Sequence, residues 1–344
     1  MSNLKCQISN LHLKAKIWVV FVACWLLAAG PTHAQGLSLS IWPPLLEVII
    51  QPGKSITQVY KVRNAGETDL ALTSKIVSFK PEGEKGDISF TSKQDTSKVG
   101  WFSFLNADLT LGEKFILPVG KEQEVVLKIR VPENAPEDDY YFTLLFETIP
   151  GVFLGQSGGQ IEAKIGGNIL LTVSQTGEPK KGAEIFEFSI RNSQFAIRNL
   201  MILDSFTQPQ FVVRLKNNGK AFFKPFGTIT TTGWFGQRWV LDLLPENVLV
   251  DSVRQIPCQK SAFWPASEEG TSSEKPSILP SPCQLKAKFL LGKYTAQLEF
   301  GLDEASGEYQ SQIVFWALPL KLTAGLLAIL VLLLLIASKI SFKK

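Results

Sequence analysis

Between residues 35 and 317 the chain repeats one pattern, apolar residues at every second position in runs of five to nine, closed off by Gly, Pro, Asn and Asp. A period of two puts successive side chains on opposite faces of an extended chain, so these runs predict half-buried antiparallel strands. In the run from Glu124 to Val131, positions 125, 127, 129 and 131 form an apolar face while Glu124, Lys128 and Arg130 face out, and Pro132 ends the strand. Tyr140 to Glu147 sets Tyr140, Phe142, Leu144 and Phe146 on one face, and a strand over 161–173 follows with an expected break at Gly166-Gly167. Upstream, Pro52-Gly53 opens a strand whose inner face is Ile56, Tyr60 and Val62, ending in the turn Asn64-Ala65-Gly66. The polar stretch Gly177 to Gly182 interrupts the alternation and reads as a linker. The pattern then resumes with Phe186, Phe188 and Ile190 on one face and runs through Phe211–Lys216 into the turn Asn217-Asn218-Gly219.

Two stretches break the period. Leu322 to Ser338 is apolar, carries no charge and is followed by Lys339, Lys343 and Lys344. As a helix it covers about 25 Å, close to a hydrocarbon core of about 30 Å, and Lys321 and Lys339 can reach the headgroups. The first 34 residues carry Lys5, Lys14 and Lys16, the apolar run Ile17 to Ala29, and Gly30-Pro31 before Thr32-His33-Ala34, the layout of a cleaved secretory signal. The expected organisation is a signal peptide (1–34), two tandem immunoglobulin-like β-sandwich domains (35–178 and 179–317), one transmembrane helix (318–338) and a cytoplasmic tail (339–344). The fold class is all-β, with one C-terminal transmembrane α-helix. The lysine tail puts the β-domains outside the membrane, in a single-pass type I arrangement.

The halves also resemble each other. Val62-Arg63-Asn64-Ala65-Gly66 aligns with Leu215-Lys216-Asn217-Asn218-Gly219, and Tyr140, Phe142, Leu144 and Phe146 align with Tyr294, Ala296, Leu298 and Phe300 at nearly the same offset. Each tyrosine stands where an immunoglobulin-like sandwich often bonds a tyrosine hydroxyl back to the backbone, or else serves as a core aromatic.

Composition narrows the function. Both histidines, His12 and His33, fall inside the signal, so the exported chain lacks the side chain on which Ser-His-Asp and Cys-His catalysis and imidazole metal sites depend. An enzyme is not expected, nor is a cofactor. Formal charge is +4, of which the signal's three lysines are a part, and no basic patch points to nucleic acid. Cys258 and Cys283 remain in an oxidising compartment and are expected to form a disulfide around a Ser-, Pro- and Glu-rich loop. Within that loop Phe263 and Trp264 form a candidate partner contact, as do Val152, Phe153 and Leu154 in a glycine-rich loop. Glu137-Asp138-Asp139 lacks the spacing of a calcium loop and reads as a solvated turn, and Phe222 to Phe226 with Trp234 and Trp239 read as core aromatics. Lys321, Leu322, Ser338 and Lys339 bound the membrane anchor.

Pro52-Gly53, Val62–Gly66, Trp101, Leu117-Pro118-Val119-Gly120, Ile129–Pro132, Ala135–Tyr140 and the closing Phe315-Trp316-Ala317-Leu318-Pro319 resemble the DUF916 family, the WxL-interacting surface proteins. That resemblance implies a membrane-anchored cell-surface protein with one domain on peptidoglycan and the other on partner proteins. The functional expectation is therefore a surface binding protein that contacts envelope polymer, partner surface proteins or both. A membrane-tethered, chaperone-like assembly factor is the alternative.

Overall fold

A computed structural model describes residues 38–91, 96–149, 162–191, 195–197, 200–259, 280–302 and 309–341. The expected signal peptide, the partner-contact candidates Val152, Phe153 and Leu154, and Phe263 and Trp264 lie outside the described residues.

The alternating runs become two sandwiches. The first is built from β1 (Leu39–Trp42), β2 (Leu45–Ile50), β3 (Ser55–Asn64), β4 (Leu70–Glu82) and β5 (Asp87–Phe90), then a one-turn helix α1 (Thr96–Val99). It continues through β6 (Phe102–Phe104), β7 (Lys114–Leu117), β8 (Glu122–Arg130), β9 (Asp138–Thr148) and β10 (Lys164–Val173). One sheet runs β1-β3-β8-β6 and the facing sheet β2-β10-β9-β4-β5, with β7 on the start of β4. Tyr60, Val125, Leu127 and Ile129 meet Leu72, Leu144, Phe146 and Leu171 between them. At 1.5–3 kcal/mol for each large apolar side chain fully buried, roughly, this layer is what holds the sheets together. At Trp42-Pro43, whose peptide is cis, the chain crosses from an edge of one sheet to an edge of the other.

The second sandwich contains β11 (Ala183–Ile190), β12 (Phe195–Ile197), β13 (Leu200–Asp204), β14 (Gln210–Asn217), β15 (Phe226–Gly233) and β16 (Arg238–Asp242). The short strands β17 (Val253–Gln255), β18 (Cys258–Gln259), β19 (Pro280–Ser281) and β20 (Cys283–Gln284) follow, then β21 (Gly292–Gly301) and β22 (Tyr309–Leu318). Its sheets run β11-β14-β17, with β20 also on β14, and β12-β13-β22-β21-β15-β16. β13 lies parallel to β22 as β2 lies parallel to β10, so both halves share one frame.

The aligned turns account for that shared frame. Asn64 is fully buried, its Nδ2 donates to the carbonyls of Thr68 and Leu117, and its Oδ1 accepts from Gly66 N–H. Asn217, equally buried, donates to the carbonyls of Ala221 and Val248 and accepts from Gly219 N–H. Each amide thus closes its own turn and ties down a second strand without leaving a buried polar atom unpaired. The linker also packs here, because Asn218 and Lys220 donate backbone N–H bonds to the carbonyls of Gly182 and Lys180.

Several expectations need correction. β10 runs unbroken through Gly166 and Gly167. A Cβ there would stand 2.4 Å from the Thr143 methyl and 2.8 Å from the Tyr60 ring, so both glycines serve close packing instead of ending the strand. Phe186 is expected on one face with Phe188 and Ile190, which are buried, yet it is 51% exposed, because a bulge between Ile185 and Glu187 shifts the register of β11. Its ring instead lies under the Arg214 guanidinium, 4.8 Å away.

β22 leads through Pro319 into the helix α2 (Leu320–Ser341), 22 residues whose start lies two positions after the expected start of the span at 318. Pro319 stands just before the helix, where its carbonyl accepts the first helical bond, from Thr323 N–H. The Asp204 carboxylate at the end of β13 accepts from the Lys321 N–H at 3.0 Å. That bond holds the Asp204 carboxyl below the usual carboxylate range, as expected of an acid at a helix amino terminus. From Leu322 to Ile336 the large apolar side chains of α2 are exposed all round. Its side chains are described only to Ile336, about 25 Å of helix, and among the described residues no helix is long and apolar enough to cross a membrane.

Candidate functional site

β2 is an edge strand. The bonds from Asn168 N–H to the Pro44 carbonyl (2.8 Å) and from Ser174 N–H to the Ile50 carbonyl (3.1 Å) turn the even-numbered residues toward β10. By alternation the N–H and C=O groups of Leu45, Glu47 and Ile49 point the other way, and among the described residues no strand pairs with them. Leu45 is 40% and Ile49 46% exposed. Natural sheets commonly blunt such an edge with a charge. The one charge in β2 is occupied, because the Glu47 carboxylate accepts from Lys224 Nζ (2.7 Å) and Asn247 Nδ2 (2.5 Å) of the second sandwich.

Beside this edge the two sandwiches meet. Phe79, Leu170 and Leu249 form a buried apolar cluster, with Ile88, Tyr141 and Phe222 packed against it. Phe79 and Tyr141 stack with ring centroids 5.7 Å apart. Around the cluster runs a polar seam in which Tyr141 Oη donates to Asp139 Oδ2 (2.8 Å) and accepts from Val250 N–H (2.9 Å). Asp139 also accepts from the Thr172 hydroxyl and from the Phe222 backbone N–H. Burial pushes its carboxyl above the ordinary value, and the hydrogen bonds from Thr172, Tyr141 and Phe222 offset only part of that rise. On the far side Glu84 pairs with Arg214 through its carboxylate, and its carbonyl accepts from Gln255 N–H at 2.8 Å. The turn carrying Glu84 needs Gly86, whose φ of +88° and closeness to the Arg254 guanidinium leave no room for a side chain.

Between seam and edge opens a cavity of about 160 Å³, lined by Leu45, Phe79, Ile88, Leu170, Leu249 and Arg254 among others. That is about the volume that admits a benzene-sized apolar group. An unpaired strand edge and a hollow at its side with mixed apolar and polar walls, Leu45 belonging to both, form a site suited to an extended peptide.

The predicted sites stand as follows. Cys258 and Cys283 are joined by a disulfide, with their Cα atoms 4.8 Å apart, between the short strands β18 and β20. Asp139 is not in a solvated turn but in the seam. Of the aromatic group, Phe223 is core and Trp239 packs against it, whereas Phe222 turns to the other sandwich and Trp234 is 67% exposed. Tyr140 Oη donates to the Pro136 carbonyl at 3.0 Å, the backbone tie foreseen for it, while Tyr294 Oη accepts from Leu291 N–H at 3.1 Å. Lys321, Leu322, Ser338 and Lys339 all fall within α2. The alternation did not mark β2 or Asp139. The available signal was the second apolar set in β9, Tyr141 and Leu145, on the face opposite Phe142 and Leu144.

No family model and no curated protein matches the chain, so the likeness to the DUF916 family rests on the quoted motifs alone. Solved structures with a similar fold include a chain of a chaperone–tip adhesin complex of CFA/I fimbriae, at 10% identity and TM-score 0.37, covering 81% of this chain and 98% of that one. Another is the class 5 fimbriae chaperone CfaA, at 11% identity and TM-score 0.35, covering 82% and 100%. A third comes from the CsuC–CsuE chaperone–tip adhesion subunit pre-assembly complex of Acinetobacter baumannii, at 14% identity and TM-score 0.31, covering 81% and 98%. Similarity at this level concerns the fold, a β-sandwich architecture, and extends no further.

Proposed function

We propose that the protein is a membrane-anchored binding protein of the cell envelope, and that the β2 edge takes an extended segment of an exported partner protein as an added strand. The observation that carries this reading lies in the second sandwich. There β13, the counterpart of β2, has an extra strand on its outer edge, β12, paired antiparallel with Phe195 opposite Ile202 and Ile197 opposite Leu200. Among the described residues the chain completes one edge with its own segment and sets no strand on the other. A partner strand beside β2 would satisfy the outward groups of Leu45, Glu47 and Ile49, and an apolar side chain from it would fill the cavity next to Leu45.

The anchor in this reading is α2. Its 22 residues rise about 33 Å, and from Leu322 to Ile336 the side chains described in it are apolar except Thr323; the span itself is carried over from the sequence expectation, since no helix among the described residues is long and apolar enough to cross a membrane. Together with the amino-terminal signal expected from the sequence, such an anchor would leave both sandwiches outside the membrane.

A photoreactive residue at Leu45 of the full chain, expressed in its own cells, tests the edge. The expected result is an adduct with one exported protein that disappears in Ile49→Pro, which removes an outward N–H and leaves the β10 ladder intact. Retention on isolated peptidoglycan with no protein adduct would overturn the reading and favour the envelope-polymer expectation.

A further inference from the structure

The second sandwich has two unlike ends. β15, β21 and β22 start or finish at Phe226, Gly301 and Tyr309 near the first sandwich, and at Gly233, Gly292 and Leu318 at the opposite end, next to α2. Large apolar side chains left in the open gather at that opposite end. The β15–β16 turn presents Trp234 (67% exposed) and Phe235 (70%), and Trp234 meets Trp316 of β22 edge-to-face at 5.8 Å. On the other flank Phe206 and Phe289, both about half exposed, touch edge-to-face at 5.3 Å, beside exposed Leu291.

These groups are tied to the helix entrance by backbone. Ser205 N–H donates to the Leu318 carbonyl, Leu290 N–H to the Ser205 carbonyl, and Trp234 N–H to the Lys293 carbonyl, all at 2.9 Å. The Asp204 carboxylate holds the Lys321 N–H from the same corner, so α2 leaves the sandwich beside these aromatic pairs. Of the segments that bear the patch, 233–238 and 286–293 carry Arg238, Lys286, Lys288 and Lys293 and no acid, while the segment of Phe206 carries Asp204, whose carboxylate is engaged by the Lys321 N–H. Exposed aromatics grouped with cations beside the start of an apolar helix match the chemistry of a lipid headgroup layer, where an amphipathic ring and a phosphate-binding cation are both satisfied.

We propose that this end of the second sandwich is a membrane seat: Trp234, Phe235, Phe206 and Phe289 enter the headgroup–acyl boundary of the bilayer that holds α2, with Lys288 and Lys293 on lipid phosphates. The inference rests on α2 spanning the membrane. It adds that the sandwich does not swing on its tether but stands on the bilayer with the first sandwich, and the β2 edge, held away from it.

The test uses the full chain in lipid discs of phosphatidylcholine and phosphatidylglycerol holding one copy each. A fluorophore is placed in turn at F235C, at F90C in the first sandwich as an exposed control, and at I329C within α2, and is quenched by lipids spin-labelled near the headgroup or near the chain end. The expected result is strong quenching at position 235 by the shallow label, at 329 by the deep label, and none above background at 90. Quenching at 329 with none at 235 would overturn the seat and leave the span standing. No quenching at 329 would remove both. Should 235 become shielded only in discs holding two copies, the patch is a contact between copies and the seat is wrong. A W234S/F235S double variant that keeps quenching at 329 is expected to free the sandwich, seen as at least a twofold drop in fluorescence anisotropy decay time at position 90.

Discussion

β2 and β13 hold the same position in their sandwiches, each parallel to the last strand of its half, yet among the described residues one edge is bare and the other carries a third strand. Core packing does not explain the difference, because both halves bury comparable apolar layers and close the same asparagine turn. An open edge is an association hazard that a chain normally covers or charges. That this one is left bare, beside a cavity and with its carboxylate engaged elsewhere, sets β2 apart as a place for something from outside.

The largest effects should come from what the two halves share. Asn64→Ala and Asn217→Ala each remove side-chain bonds to two carbonyls and from one N–H, although the Val248 carbonyl keeps the Phe223 N–H, so each variant should lose about 2–4 kcal/mol of stability in chemical denaturation. Equal losses would support a common frame; a loss in one half alone would break the comparison. The next effect separates the halves. Replacing Cys258 and Cys283 by serine frees a loop of 25 residues and should cost the second sandwich about 3 kcal/mol, read as an earlier second transition in a melt followed by domain-specific probes.

Opening the covered edge sharpens the contrast directly. Substituting Phe195–Ile197 by Gly-Ser-Gly should leave β13 as bare as β2, and concentration-dependent association of the full chain in detergent should rise, measured by light scattering. Should the chain stay monodisperse, β12 is not a cover. Ile49→Lys is the reverse change, placing a charge on the bare edge, and should abolish the Leu45 photo-adduct with less than about 0.5 kcal/mol of lost stability.

The smallest effect concerns how the halves are joined. Asp139 has a raised carboxyl pKa because burial in the seam disfavours its charge. The contribution of an acid raised on folding is complete below its unfolded value of about 4 and is lost as pH rises from there through the folded value, so docking of the two sandwiches should weaken over that rise. Asp139→Asn should flatten that dependence. Hydrogen exchange at the Phe222 and Val250 amides, which bond to Asp139 and Tyr141, reports it.

Much of this architecture was readable from residue pattern. Val125, Leu127 and Ile129 alternate because one face of β8 meets a core, and the two Asn-x-Gly turns, the cysteine pair and the long apolar run each advertise a local requirement that neighbours in sequence supply. The surplus apolar residues of β9 were also visible, though not their meaning, since Tyr141 packs on a loop more than a hundred residues away.

The tertiary structure alone decided which faces and edges stay open. A period of two says that the sides of a strand differ, but it does not say what covers the second side. Thus Phe186 turned outward at a bulge, Asp139 was drawn into the seam, and Trp234 was left at a turn tip beside the helix although its neighbours in type are core. β2 has the composition of an interior strand, and it is an edge because the chain, having crossed at Trp42-Pro43, lays nothing described beside it. Strand identity is written in local alternation, whereas exposure is a property of the company a strand keeps, and contacts that close only after folding choose that company.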